Sequence, residues 1–203
     1  MTQSFRDFLT ILNQLDENLL LWLNSMNSPL LDPLMWLISD RWVWIPFYVV
    51  LAYIVMRRYT WQHGLLCLAL VAMLITLSDQ TCATVIRPLV MRLRPTTPDN
   101  PISHIIHTVN NYHGGRYGFP SCHAANTFAL AVFVSLYLRR TGMTLLMVTW
   151  AAVVSYSRIY LGVHYPGDIF CGLCIGSFYA LCMHGVYRLV SRLHFMPAYR
   201  TAR

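Results

Sequence analysis

Three short stretches of the chain carry residue types that could do chemistry together. In Arg87-Pro88-Leu89-Val90-Met91-Arg92-Leu93-Arg94-Pro95, two arginines stand seven positions apart. On a continuous helix that spacing leaves Arg87 and Arg94 within about 20° of each other and about 10 Å apart along the axis, so both guanidinium forks would face one anion. Interfacial snorkelling is the alternative use of arginines at the end of an apolar run. The second stretch, Phe119-Pro120-Ser121-Cys122-His123-Ala124-Ala125-Asn126, opens an apolar run with a favoured N-cap residue. The free N–H groups of such a helix start bind phosphate readily. His123 could hand a proton to a leaving oxygen there, or be only a hydrated boundary histidine. The third stretch runs from Ser157-Arg158 to His164 and Asp168. An Asp four residues after a His can hold one imidazole nitrogen and leave the other free as a nucleophile, provided that Pro166-Gly167 turns the chain back. An N-cap Asp beside an unrelated His is the plainer alternative. Taken together, the stretches supply a cationic clamp, a helix N-terminus with an acid, and an oriented nucleophile. Those are the parts of a phosphoryl-transfer site.

The elements that must position them are read from apolar periodicity. Residues 4–23 place Phe5, Phe8, Leu9, Leu12, Leu15, Leu19 and Trp22 at helical spacing among Arg6, Asp7, Asp16 and Glu17, which predicts an amphipathic helix lying in a membrane interface. Five apolar stretches follow, from Asp32 to before Arg57, Gly64 to about Val85, Ala124 to Leu138, Met143 to about Tyr160, and Ile169 to Val190. The expectation is an all-α integral membrane bundle of about five spans plus the interfacial helix. It forms one unit over 1–203, with the interfacial helix in 1–29, the catalytic bundle in 30–190 and a basic cytoplasmic tail in 191–203. Arg57-Arg58, Arg139-Arg140 and the C-terminal arginines then share one face, the cytoplasmic one by the positive-inside tendency. The polar segment 86–120 and all three chemical stretches face outward.

Composition agrees. Of 203 residues, 56% are hydrophobic and 11% charged, and the mean hydropathy is +0.46, which excludes an ordinary soluble enzyme and a disordered chain. The +7 formal charge comes from fifteen Arg and no Lys against seven Asp and one Glu. Its placement at the ends of apolar runs argues against a nucleic-acid partner and for a bilayer. Six Cys lie mostly inside apolar runs and predict core packing, not disulfides or a metal; Cys171 and Cys174 form a lone CxxC. The N-terminus lacks a basic leader and a small-residue cleavage site, so it is expected to be retained. His104 and His107 read as part of a solvated lid. Trp42, Tyr112 and Tyr117 read as interface anchors. Asp79, inside the second span, is expected to line a cavity or pair with an Arg.

At the three stretches the sequence resembles the type 2 phosphatidic acid phosphatase superfamily, whose signatures are K-x6-RP, PSGH and SR-x5-H-x3-D. Here they stand as Arg87-x6-Arg94-Pro95, Pro120-Ser121-Cys122-His123 and Ser157-Arg158-x5-His164-x3-Asp168, in order and spacing, within a resemblance covering roughly residues 30–190. It implies that His164 forms a phosphohistidine, Asp168 orients it and His123 protonates the leaving group. By the same resemblance Arg87, Arg94, Ser121, Cys122 and Arg158 hold the phosphate, and neither metal nor cofactor takes part. Two positions depart: Arg87 stands for Lys and Cys122 for Gly. The implied function is hydrolysis of a membrane lipid phosphate or pyrophosphate on the periplasmic face of a bacterial inner membrane. Undecaprenyl pyrophosphate is the favoured substrate, because the compact form resembles small bacterial undecaprenyl-diphosphatases. Lipid A phosphates and phosphatidylglycerol phosphate are the alternatives, and a non-catalytic transporter or partner subunit of the same fold is the reading of another class. Soluble vanadium haloperoxidases share the motifs but not the membrane composition.

Overall fold

The computed structural model describes residues 3–194, and the end of the expected tail, 195–203, lies outside the described residues. The tail's first part, 191–194, continues the last helix. Helices dominate: α1 (Gln3–Asn24), α2 (Asp32–Ser39), α3 (Ile45–Arg58), α4 (Trp61–Gln80), α5 (Arg87–Val90), α6 (Cys122–Leu138), α7 (Thr141–Tyr160) and α8 (Pro166–His194). Among the described residues, one isolated bridge between Leu93 and Tyr117 is the only extended pairing.

The centre of the bundle is α6. It is apolar all round, which suits a helix enclosed by others, and α4, α7 and α8 pack against it. Its small residues let α8 approach closely: a Cβ on Gly176 would meet the Ala125 carbonyl oxygen at 2.1 Å, so no larger residue fits without parting the helices. The continuous apolar segment Trp61–Val90, then Thr141–Tyr160 and Pro166–Leu193, are each long and apolar enough to cross a membrane. At 17 residues α6 is shorter, and it is sheltered by its neighbours.

The first expected span is broken. Helices α2 and α3 meet at 68° across a 3-10 turn, Arg41–Trp44. Asp40 is extended and accepts a hydrogen bond from Trp42 N (3.0 Å), capping the turn, while Pro46 sits at the start of α3, where its missing N–H costs nothing. The break turns Ser39 and Arg41 toward the catalytic end.

A second correction concerns Arg87 and Arg94, which do not share a helix. Pro88 cannot donate to the carbonyl four residues back and its ring crowds it, and the chain widens into a π-helical turn over Thr81–Ile86. After α5, Met91 adopts a left-handed conformation (φ 48°) and ends the helix. Arg94 is instead set by a hairpin-like return of the outer segment: Arg94 N donates to Arg116 O (3.0 Å) and Gly118 N to Arg92 O (2.9 Å).

That outer segment is a packed cap and not a solvated lid. Ile102, Ile106 and Val109 are buried, the first two against Leu20 of α1, Ile159 and Tyr165. Within it, His104 is exposed, but His107 Nε2 lies 2.9 Å from Asp32 Oδ1, which also accepts from Tyr160 Oη (2.6 Å). Helix α1 keeps its exposed apolar face, Phe8, Leu12, Leu15 and Trp22 among it, yet it is tied to the bundle by Asn24. The Asn24 amide donates to the carbonyls of His107, Ile159 and Tyr160, closing the C-terminal end of α7. Of the CxxC pair, Cys171 is half-buried and Cys174 is exposed on the bundle's outer surface, so core packing does not describe it.

Candidate active site

His164 is buried between α7 and α8, and Asp168 lies in the first turn of α8. Asp168 Oδ2 is 3.3 Å from His164 Nδ1 and accepts from Tyr165 N at 3.0 Å. On its other side His164 Nε2 is 3.1 Å from Arg94 Nη1. A guanidinium only donates, so Nε2 presents its lone pair and Nδ1 carries the proton toward Asp168. Burial first, then the charges of Arg94, Arg158 and Arg87, hold this imidazole well below the ordinary histidine range, so it is neutral at pH 7. A Cβ on Gly118 would press on Arg94 Cγ (3.0 Å) and Asp168 Oδ2 (3.2 Å), which explains the bare backbone there.

The other carboxylate oxygen, Asp168 Oδ1, accepts from Arg92 Nη1 (3.0 Å). Arg92 stacks on Tyr165, 3.8 Å from the ring centroid, and its Nη1 reaches Asp16 Oδ2 on α1 at 2.7 Å. Asp16 Oδ1 in turn accepts from Gly167 N at 2.7 Å. Arg92 and Asp16 therefore brace the orienting carboxylate, and sequence reasoning missed both. Asp16 looked like one charge on a solvated face, and no local spacing links residue 16 to residue 168.

Three guanidinium groups converge on the neighbouring space. Arg94 is buried and donates to Val163 O (3.1 Å) as well as to His164; burial, then Arg158 and Arg87, push its pKa down to about 10, and it stays cationic. Arg158 is held by Ser39 Oγ and by Tyr112 Oη (3.4 Å), and its buried Nε has no partner among the described residues. Arg87 Nη2 donates to Pro120 O (3.2 Å) and meets Cys122 Sγ at 2.9 Å, while its buried Nε is likewise unpartnered. Three mutually repelling cations with spare donors make a pocket that wants an anion. Tyr112, expected at the membrane interface, belongs to this pocket; Trp42 is exposed. Tyr117 contributes its carbonyl to Arg94 Nε (3.2 Å).

The third part is the start of α6. Ser121 caps it, its side chain accepting from Ala124 N, and its backbone N–H donates to the main-chain carbonyl of Asp168 at 3.0 Å, which fixes this helix end to the start of α8. Cys122 is the first helical residue, outside the left-handed region, so its β-carbon is tolerated, and the two departures from the family signature touch each other through Arg87 and Cys122. His123 lines two spaces at once. One is an outer polar vestibule of about 300 Å³ shared with Tyr112, Arg158, Asp40 and Trp36. The other is a cavity of about 530 Å³ among α3, α4, α6 and α7, walled mainly by Leu51, Val55, Val71, Leu130 and Trp150. Ser39 and Arg41 border both. A headgroup in the vestibule and an apolar chain in the cavity would meet at His123.

Fold and site thus define a membrane-embedded helical bundle with a cationic, histidine-bearing pocket at one end. Residues 64–192 match the PAP2 superfamily, and the chain belongs to it. It is 40% identical to the lipid A 4'-phosphatase of Bacteroides thetaiotaomicron, over 90% of this chain and 81% of the relative, and 32% identical to that of Porphyromonas gingivalis, over 91% and 78%. A putative undecaprenyl-diphosphatase of Escherichia coli matches over a shorter region, 40% identical across 32% of each chain. Among solved structures, the PAP2 type phosphatidylglycerolphosphate phosphatase of Bacillus subtilis has the same fold, with a TM-score of 0.66, 21% identity, and 90% of this chain and 89% of that one covered. The protein is an integral membrane phosphatase of this superfamily that acts on lipid phosphates.

Proposed function

We propose that the protein removes a phosphate monoester from an amphiphile of the lipid A kind, on the periplasmic face of the inner membrane, through a phosphohistidine. The observation that carries the chemistry is the convergence of Arg87, Arg94 and Arg158 around the neutral, Asp168-oriented His164. An entering phosphoryl group would draw Arg94 from Nε2 onto its own oxygens and receive the spare Nε donors of Arg87 and Arg158. His164 Nε2 then attacks phosphorus as the bond to the leaving oxygen breaks, and His123, which burial and then the charge of Arg158 hold far below the ordinary histidine range, receives the proton that the phosphate monoester brings in and passes it to that oxygen. Neutral His123 next takes a proton from water, which attacks the phosphohistidine and releases inorganic phosphate. Ser121 and the N–H groups at the start of α6 hold the oxygens meanwhile.

Substrate choice rests on the long match to the two lipid A 4'-phosphatases, against the short match to the undecaprenyl-diphosphatase, so the reading moves from the carrier pyrophosphate favoured by the sequence to its alternative. The periplasmic orientation rests on Arg57-Arg58 and Arg139-Arg140 lying at the end of the bundle away from the site. The experiment is phosphate release by detergent-purified protein from lipid A, phosphatidylglycerol phosphate and undecaprenyl pyrophosphate, side by side. Lipid A is expected to have the highest kcat/KM. A higher value for undecaprenyl pyrophosphate reinstates the carrier-lipid reading.

A further inference from the structure

The mechanism leaves one polar pair unused. Asp79, near the end of α4, and Asn126, one turn into α6, both line the apolar cavity, and Asn126 Nδ2 donates to Asp79 Oδ1 at 3.0 Å. Asp79 was expected to line a cavity or to meet an arginine; it lines the cavity, and no cation stands within 4 Å of it among the described residues. Because a carboxylate only accepts, Asn126 must offer its NH2 group, which leaves its Oδ1 buried and without a partner. The pair is thus richer in acceptors than in donors, among side chains such as Ile75, Val71 and Leu130 that can supply none. Leaving such acceptors unmet is costly. Its position is informative as well. Asn126 follows His123 by three residues on the same face of α6, about 4.5 Å deeper along the axis.

We propose that Asp79 and Asn126 form a polar subsite that accepts hydrogen bonds from hydroxyl or amide N–H groups on the leaving group, a few ångströms from the scissile oxygen. An acylated amino sugar carries such donors beside its phosphate. A diacylglycerol carries ester acceptors only and would set them against a carboxylate. The subsite therefore selects for a sugar-based lipid and against one whose leaving group is a diacylglycerol, and it deepens the functional reading above, since it rests on His123 facing the leaving oxygen. A site built to pair with polar donors discriminates against analogues that lack them far more strongly than an apolar wall does.

The test compares kcat/KM for an acylated glucosamine 4-phosphate and for phosphatidic acid in wild type, Asp79→Leu, Asn126→Leu and the milder Asp79→Asn. Removing one member leaves the other buried without its partner, which lowers the stability of the fold, so Asp79→Asn, which keeps one acceptor and the pairing distance, carries the test should a leucine variant misfold. Wild type is expected to prefer the sugar lipid. Each leucine variant should lower that preference by about 10-fold to 100-fold, the worth of a hydrogen bond to a charged acceptor, with Asp79→Asn in between. Equal proportional losses on both substrates overturn the subsite and make the pair a structural link between α4 and α6. A wild type without preference overturns it too. Failure of the underlying reading has a different signature: His164→Ala releases phosphate as fast as wild type from either lipid.

Discussion

The vestibule and the cavity meet at His123, yet they are made in opposite ways. The vestibule is assembled where elements end or begin: the end of α2 and the turn at Asp40 and Arg41, Tyr112 of the cap between α5 and α6, His123 at the start of α6, and Arg158 and Leu161 at the end of α7. The reacting groups beside it are fixed by backbone hydrogen bonds, such as Arg94 N to Arg116 O and Ser121 N to Asp168 O, and by the Arg92–Asp168 ion pair. The cavity is made of helix faces, and its shape depends on side-chain volume and on the 68° bend between α2 and α3. The first reads charge and performs a reaction that needs few groups in strict positions. The second reads length, girth and the odd polar feature of a lipid. Chemistry and substrate choice should therefore be separable by mutation, and the expected effects below decide whether they are.

The largest effect belongs to the reacting groups beside the vestibule. His164→Ala removes the covalent acceptor and should bring phosphate release to background on every substrate. His123→Ala should cost about 10² to 10⁴-fold in kcat, the usual worth of a general acid. That loss should shrink when the leaving group is a good one such as pyrophosphate. If His164→Ala impairs only long-chain lipids and spares a small soluble phosphate ester, chemistry and lipid recognition are not divided as argued.

Arg94→Gln tests the electrostatics on the same side. With Arg94 present, the His164 pKa lies well below the usual histidine value, so the neutral nucleophile persists as the pH falls through 6.5. Removing the cation raises that pKa, and the acid limb of kcat/KM should move toward higher pH, alongside a general loss of rate from the weakened clamp. Measured on one substrate for both proteins, a limb that does not move shows that something other than His164 sets it.

On the cavity side, Ala52→Phe adds a ring to the wall. KM for a long-chain lipid phosphate should rise about tenfold, an overpacking cost near 1.4 kcal/mol, while a small soluble ester keeps its kinetic constants. Equal losses on both would mean that the wall supports the vestibule instead of only receiving the chain. Asp16→Asn probes the boundary: Arg92 keeps Asp168 but loses the charged brace on α1. The pair is partly exposed, so the expected loss is a few-fold, in kcat and not in KM, with recovery in Asp16→Glu.

The asymmetry also explains what was legible in the sequence. The vestibule's chemistry shows as spacing, because the His164–Asp168 pair and the cap at Ser121 are local devices. Of the five expected spans, three are helices long and apolar enough to cross a membrane, while the first is a bent pair and α6 is shorter, so the count of five is three, or four with the bent pair, among the described residues; the amphipathic pattern of α1 was visible. Arg92, Asp16, Tyr112, Ser39 and Gly118 were not, since each matters through a contact with a distant part of the chain. The bend at Asp40 had a local signal in the Asp cap and Pro46 that the overall hydropathy concealed. The packing of the outer cap rests on Ile102 and Ile106, apolar residues in an otherwise polar segment that join one buried cluster. The helical placement of Arg87 and Arg94 failed because periodicity arguments assume an unbroken helix, and Pro88 had already compromised it.

The smallest effect is expected where the chain leaves the family signature. Cys122 is half-buried with its Sγ 2.9 Å from Arg87 Nη2, so the thiol fills the space that a glycine would leave beside the longer arginine. Cys122→Gly should keep activity within a few-fold, because the helix start and its N–H groups remain and Arg87 still has Pro120 O. Alkylation of the wild type should inhibit, since a group attached to Sγ would project among the phosphate-binding arginines. The glycine variant should lose that sensitivity, and this comparison isolates one thiol among the six. Vanadate, bound as a phosphate mimic, should protect the wild type from the reagent. Unchanged sensitivity in Cys122→Gly, or no protection by vanadate, would remove Cys122 from the border of the phosphate pocket and would make its contact with Arg87 a matter of packing alone.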